Sequence, residues 1–371
     1  MGTGIHPSVG EVQRLRDSAW QAIGTATVDG AERIRSWNAW TDHNLSLYGS
    51  RASDHGQATT DKLLTFAVAV REGKYGLGSP VKVQSVERAL RHVAQKFVLD
   101  GHPDPRKSSA AQQSLDLPIA RLIKSYRDSD PPPEPKLALP ISTITAIATH
   151  YNWSPHLEAV ADLVTIAFFF LLRVGEYTSP SPSRDKRTIQ LRRCDVRLWR
   201  NGVVLPHTSS LAALLRADSA TICIANTKNG TKGAVIHHEA FAGPICPVAA
   251  LARRIANVQR GPLTGTIATV QHKSGRTSRV SDRDIGIAVR WGATRDGLLL
   301  RGYTLNRISS HSLRAGGAMA LKLSGASDST IMRVGRWTSL TYLTYIHTQI
   351  GALTSGVAWK MSTVFTFQNV G

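Results

Sequence analysis

Asp128-Ser129-Asp130-Pro131-Pro132-Pro133-Glu134-Pro135-Lys136 sets the strongest limit on how this chain can fold. Its four prolines remove four backbone donors and hold four φ angles at about −65°, so the segment reads as a stiff, extended linker and not as helix. A linker there divides the 371 residues into parts that must each bury a core of their own. The expected organisation is a helical domain over 1–127, a proline-rich linker over 128–140 and a second domain over 141–371.

The two parts differ in pattern. Val12–Ile23, Ala31–Tyr48, Thr60–Arg71, Val83–Phe97 and Leu117–Tyr126 carry helical periodicity, which predicts a bundle of four or five helices. After the linker, Ile141–Tyr151, His156–Arg173, Pro247–Gln259, Ser281–Thr294 and Ser310–Leu323 read as helices, with shorter ones at Asp328–Val334 and Leu340–His347. Ser309 or Ser310 would cap the helix that begins there. Ile189–Leu205 alternates as a strand does. Thr221–Ile224 and Ala234–His237 flank Asn229-Gly230, a strong signal for a tight hairpin. Gly356–Phe365 has room for one more element. The fold class is mainly α with a small antiparallel sheet, α+β.

Charge separates the parts further. Residues 1–150 carry 18 basic and 15 acidic side chains, whereas residues 151–371 carry 27 and 11. Most of the net +19 therefore sits on the second part, dispersed along it as on a folded surface with a positive face. A globular surface this basic points to a polyanion, most often nucleic acid.

The sequence also argues against other classes. Three cysteines without CxxC spacing suggest neither a disulfide scaffold nor a zinc site. His237-His238 beside Glu239 is no metal cluster, because adjacent strand residues face opposite ways. The longest apolar run, Leu163–Leu172, is too short to span a bilayer and reads as core. No signal or myristoylation pattern opens the chain. The expectation is a soluble intracellular protein with no cofactor, no metal, no membrane and no small-molecule substrate.

Four places in the basic part stand out. Phe168-Phe169-Phe170-Leu171-Leu172-Arg173-Val174-Gly175-Glu176 ends an apolar helix on an arginine, with Gly175 as the ordinary helix stop. His311-Ser312-Leu313-Arg314 puts a basic pair in the first turn of a helix, against the helix dipole, where bound anion would compensate. The Gly316-Gly317 that follows costs about 1–2 kcal/mol inside a helix, which close backbone packing would explain. Gly335-Arg336-Trp337 precedes Tyr342 and Tyr345, and Lys228 stands beside the predicted hairpin turn.

In this order, arginine, hairpin lysine, His-x-x-Arg, Trp, Tyr, the chain resembles the tyrosine recombinase (phage integrase) family over about residues 140–350. Arg173-Val174-Gly175-Glu176 is similar to the family's first arginine box, and His311-Ser312-Leu313-Arg314 to its second. Trp337, eight positions before Tyr345, resembles the version with tryptophan in place of histidine. The compact style is similar to recombinases of eukaryotic mobile elements of the Crypton type, with phage, plasmid or integron-like origins also open.

The resemblance implies a helical core-binding domain before the linker and a catalytic domain after it, clamping duplex DNA. It implies DNA integration, excision or transposition through a 3′-phosphotyrosyl intermediate, by a homo-tetramer on two DNA sites. The tail Leu353–Gly371 would pack on a neighbouring protomer. Arg173 and Arg314 would bind the non-bridging oxygens of the phosphate, with permanently charged, forked donors. His311 and the Trp337 indole N–H would add donors. Tyr345, followed by Ile-His as in the family, is implied as nucleophile over Tyr342. Lys228, with Lys232 in reserve, would protonate the leaving 5′-oxygen. Glu176 would orient Arg173 or His311. Two rivals share the fold: a type IB topoisomerase-like relaxing enzyme, and a catalytically silent DNA-binding protein. Location would follow the host, nuclear if eukaryotic and cytoplasmic if bacterial or phage.

Overall fold

The structure, a computed structural model, describes residues 30–49, 57–107, 114–132, 134, 136–179, 188–226 and 232–345, with Gly10, Gln13, Arg14, Asp17 and Ser18 near the start. The predicted helix Val12–Ile23 and the tail element Gly356–Phe365 fall mostly or wholly outside them. The chain forms two compact units, Met1–Pro133 and Glu134–Gly371.

The first unit packs α1 (Gly30–Tyr48), α2 (Gln57–Arg71), α3 (Val83–Leu99) and α4 (Leu117–Ser129). In α3 the apolar residues Val83, Val86, Leu90, Val93 and Phe97 recur at helical spacing, and all are buried. They meet Trp40, Leu63, Phe66, Ile119 and Ile123 in one core, with Trp40 and Phe66 edge to face at 5.4 Å. α4 runs three residues beyond the predicted Tyr126, into the segment read as linker. The reason is local pairing. Lys124 bonds Asp128 one turn on at 2.7 Å, and Asp130 accepts from the Val83 amide at 2.7 Å while pairing with Arg71 at 2.5 Å.

The second unit is α+β, as the sequence pattern predicts. It comprises α5 (Ile141–His150), α6 (Pro155–Phe169), α7 (Val174–Tyr177), α8 (Leu211–Leu214), α9 (Pro247–Val258), α10 (Asp282–Arg295), α11 (His311–Leu323) and α12 (Asp328–Gly335). Strands β1 (Val196–Arg200), β2 (Val203–Val204), β3 (Ser219–Asn226) and β4 (Lys232–Glu239) make an antiparallel sheet in the order β2-β1-β3-β4. β5 (Thr269–Gln271) and β6 (Thr277–Arg279) form a separate hairpin. The Ile189–Leu205 alternation is not one strand. Asn201 and Gly202 both take positive φ, 49° and 75°, and fold β2 back on β1 in a tight turn. The predicted Asn229-Gly230 turn lies outside the described residues, between β3 and β4.

α6 is the axis of this unit. Every residue from Ala159 to Phe168 is buried, because α5, α9, α10 and α11 all pack on it. A helix apolar on all sides belongs at such a centre. Leu137–Leu139, at the end of the predicted linker, is buried here too, with the Leu137 and Leu139 amides bonded to Arg307 O at 2.9 Å and Ser312 O at 3.2 Å. Among the described residues no helix is long and apolar enough to cross a membrane.

Candidate active site

The site is built at the end of α6. That helix stops at Phe169 and not at Arg173. Leu171 takes φ 48°, a left-handed conformation costly for a residue with a β-carbon, and turns the chain sharply. Arg173 then caps the next helix, α7, and Gly175 lies inside α7 instead of ending the helix before it. Periodicity cannot show this break, because Phe168 and Phe170–Leu172 are buried on both sides of it. At the new start, Glu176 accepts the Arg173 amide at 2.8 Å and the Arg173 guanidinium at 3.3 Å. Glu176 is fully buried, while about a quarter of the Arg173 side chain (24%) reaches solvent.

α11 lies against this turn through Gly316-Gly317. A β-carbon on Gly316 would sit 2.1 Å from Leu139 O, and one on Gly317 would sit 2.3 Å from Phe168 O. The glycines therefore bring two backbones into contact, as the sequence suggested. Ser310 occupies the cap position without a side-chain cap bond, and the Ser309 hydroxyl before it accepts the His311 amide at 3.3 Å. His311 and Arg314 leave the same face of the first turns of α11. Arg314 is 1% exposed. Its terminal nitrogens donate to the carbonyls of Leu171 and Gly335, so it ties the α6 turn to the end of α12.

α12 ends in a second left-handed residue, Arg336 at φ 57°. Gly335 lets Trp337, two positions on, fold back over it, since a β-carbon there would fall 1.8 Å from the Trp337 ring. Trp337 lies over the Arg314 guanidinium, ring centroid to carbon 4.2 Å. Arg336 itself donates to Phe170 O at 3.3 Å, Leu171 O at 3.2 Å and Glu176 Oε2 at 2.7 Å. Sequence reasoning passed over Arg336. The available signal was a bulky residue at a helix end, right after Gly335, where glycine or asparagine is the usual occupant.

Electrostatics agree with this clustering. His311 is an exposed residue, and partial desolvation beside the site, then the positive charges of Arg314 and Arg173, hold its imidazole below its ordinary range and favour the neutral form. Burial lowers Arg336 too, opposed by Glu176.

The two tyrosines separate. Leu340–Tyr345 is a 3₁₀ turn that carries both. Tyr342 is fully buried, packs on Trp337 at 5.8 Å and donates to Asp328 Oδ1 at 2.6 Å, where Lys322 also bonds at 2.6 Å. Burial and the bond to Asp328 push its phenol up. Tyr345 closes the turn, and its side chain lies outside what is described. Lys228 lies outside the described residues as well, while Lys232 is exposed at the start of β4, opposite Asn226.

Trp337 thus stacks on Arg314, Arg314 bonds the Leu171 carbonyl, and the His311 imidazole feels the charges of Arg314 and Arg173. Arg314 is deeper than a phosphate fork requires, and Glu176 serves Arg173 and Arg336 instead of His311. No group of three metal-ligating side chains occurs among the described residues. His238 turns inward to Phe169 O at 2.9 Å and His237 outward to Thr221 Oγ1 at 2.9 Å, so the pair splits as strand geometry demands.

No family model matches this chain, and no curated protein does. Solved structures do. One is the XerH site-specific recombinase bound to palindromic difH substrate in a post-cleavage complex, at TM-score 0.53 and 15% identity, over 95% of this chain and 85% of that one. Another is the Tn1549 transposon integrase in complex with a circular intermediate DNA, at TM-score 0.50 and 12% identity, over 92% of this chain and 97% of that one. At such identities the likeness is one of fold.

Proposed function

We propose that this chain, whose fold is that of the tyrosine recombinases, is a site-specific DNA recombinase that cuts and rejoins strands through Tyr345. The observation that supports the reading is the linked set of Trp337 on Arg314, Arg314 on the Leu171 carbonyl, and His311 within the electrostatic reach of Arg314 and Arg173, in a chain of net charge +19.

The residues divide the work by their exposure. Arg173, partly open to solvent, would meet a non-bridging phosphate oxygen. Arg314 adds fixed positive charge from beneath, and preorganised charge of this kind needs no rearrangement as the phosphorane develops. The Trp337 indole can only donate, which suits an anionic oxygen. Tyr345 Oη attacks the phosphorus and its bond to the 5′-oxygen breaks, leaving a 3′-phosphotyrosyl ester. Neutral His311 accepts the phenolic proton. Lys228, or Lys232, supplies the proton that the departing 5′-oxygen needs. Attack by the 5′-hydroxyl of a partner strand reverses these steps and completes the exchange. Phosphodiester energy is conserved in the ester, so the residues named suffice. Exchange between two duplexes takes four such centres, hence a homo-tetramer on two sites. The helical unit over 1–127 would serve as the core-binding domain. A mobile element is the natural setting, of Crypton or another type.

The test is covalent trapping on nicked duplex DNA. Wild type and Tyr342→Phe should give a denaturation-resistant protein–DNA band, and Tyr345→Phe should give none. A band that survives Tyr345→Phe, or salt-sensitive binding without any band, would refute the assignment, the second outcome in favour of a silent DNA-binding protein. On supercoiled plasmid carrying the trapped site, DNA that is relaxed but never exchanged would mark a topoisomerase.

A further inference from the structure

Of the Gly335-Arg336-Trp337 turn, the functional reading uses only Trp337, yet Arg336 is the more confined side chain. Its backbone sits at φ 57°, where a β-carbon is strained. Its side chain is 4% exposed. It reaches Phe170 O, Leu171 O and Glu176, and its Nε–H is buried without a hydrogen-bond partner among the described residues. Glycine would close α12 more cheaply and would bury no charge. An outlier that costs the fold this much invites a functional explanation.

The distances supply one. Glu176 is a buried carboxylate shared by Arg173, from the cap of its own helix, and Arg336, from the end of α12. Between the two guanidiniums, that of Arg336 holds it at 2.7 Å and that of Arg173 only at 3.3 Å. The buried charge of Glu176 is thus met mainly by the buried arginine. The partly exposed one stays loosely held and available to an anion from solvent. On the far side of the same turn, Arg336 and Arg314 donate to one carbonyl, that of Leu171.

We propose that Arg336 is a positioning residue of the strand-cleaving centre, the counter-charge that occupies Glu176 and so leaves Arg173 to the scissile phosphate. The proposal rests on the recombinase reading above. Without Arg336, Glu176 has Arg173 as its remaining described partner and draws it inward, away from the DNA. Arg336 need not touch the phosphate at all.

The test measures single-turnover strand cleavage and DNA affinity for the full chain on a nicked duplex, in wild type, Arg336→Met, Arg336→Lys, Glu176→Gln and the double variant Glu176→Gln/Arg336→Met. Arg336→Met should slow cleavage about 100-fold, the scale of losing one preorganised charge contact, while affinity changes by no more than about threefold. Arg336→Lys keeps the counter-charge and should retain most of the rate. The double variant removes the carboxylate that captures Arg173 and should recover about tenfold or more over Arg336→Met, a non-additivity expected only of coupled groups. A second substrate carries a neutral methylphosphonate at the scissile position, where Arg173 has less charge to meet. There the gap between wild type and Arg336→Met should narrow to less than about tenfold.

A double variant no faster than Arg336→Met, or a gap equally wide on methylphosphonate, would make Arg336 a purely structural tie and overturn the proposal. So would an Arg336→Met enzyme as fast as wild type. A wild type that forms no covalent complex would instead defeat the recombinase reading, and this inference with it.

Discussion

Replacing Gly317 with alanine sets two effects against each other. In a solvated helix the change would stabilise by about 1 kcal/mol, because glycine loses more backbone freedom on folding. Here the new β-carbon would lie 2.3 Å from Leu171 Cδ2 and 2.3 Å from Phe168 O. The leucine methyl can swing aside. The carbonyl cannot, since it belongs to the last turn of α6, which is packed on all sides. Ordinary contact begins near 3.4 Å, so α11 must move about 1 Å off α6, and overpacking of this order costs roughly 1–3 kcal/mol and sometimes more. The steric term should win, for a net loss of about 1–2 kcal/mol. For a unit of this size that lowers the melting midpoint by roughly 2–8 °C. The assay is thermal or urea unfolding of the full chain, followed by tryptophan signals. Gly286, in the middle of α10, is the internal control. Its added β-carbon would meet only the end of the Arg290 side chain, at 3.5 Å, so Gly286→Ala should raise the midpoint. A Gly317→Ala protein as stable as wild type, or more so, would refute the packing argument. Strand cleavage should fall along with stability, because the same displacement pulls Arg314 from the Leu171 carbonyl.

Three further predictions follow from the site and its surroundings. Tyr342→Phe removes a bond to a half-exposed carboxylate and should cost about 0.5–1.5 kcal/mol in urea unfolding, while leaving covalent trapping intact. Burial lowers the imidazoles of His43, His207 and His238, so the unfolded chain takes up their protons at higher pH than the folded one. Their contribution is present above the ordinary histidine range and is lost as pH falls from about 7 towards 5. Asp162, pushed up to about 6 by burial, opposes this, because its charged form is the penalised one and its contribution grows on acidification. His238→Gln should therefore flatten the acid-side loss of the urea midpoint, and an unchanged or steeper loss would contradict it. For the leaving-group acid, Lys228→Ala and Lys232→Ala can be compared on DNA with a sulfur at the 5′-bridging position. Thiolate leaves without a proton, so the variant of the true acid, expected to be Lys228, should regain near-wild-type cleavage on that substrate alone.

Much of this architecture is legible in the chain, and the illegible parts have a common cause. Val83, Val86, Leu90, Val93 and Phe97 announce a helix and the face it buries. Gly316-Gly317 announces a close approach, since nothing else justifies two glycines in a helix. His311 and Arg314 announce a shared face. The break at Leu171 cannot be seen, because residues on both sides are equally apolar and the turn is set by tertiary contacts. Asn201-Gly202 is a legible turn that the longer alternation from Ile189 to Leu205 conceals. The short β5–β6 hairpin has too few residues for a period to appear. The role of Glu176 depends on Arg336, which is 160 positions away in sequence. Spacing can bring together partners on one helix, as with Arg173 and Glu176. It is blind to a carboxylate whose second partner arrives from another element.

The bonds that fix Arg314 and Arg336 end largely on the carbonyls of Phe170, Leu171 and Gly335. Every amino acid carries that oxygen, so the anchoring points are indifferent to which side chains stand at 170 and 171. What they demand is the path of the main chain, including the left-handed step at Leu171. The side chains there answer to a separate constraint, since both are fully buried in the core. The same indifference makes the centre vulnerable in an unexpected place. Proline at position 171 would leave the carbonyl chemistry untouched, yet its ring forbids the positive φ that aims the oxygen at both arginines. In this corner of the protein, shape is inherited and identity is spent elsewhere.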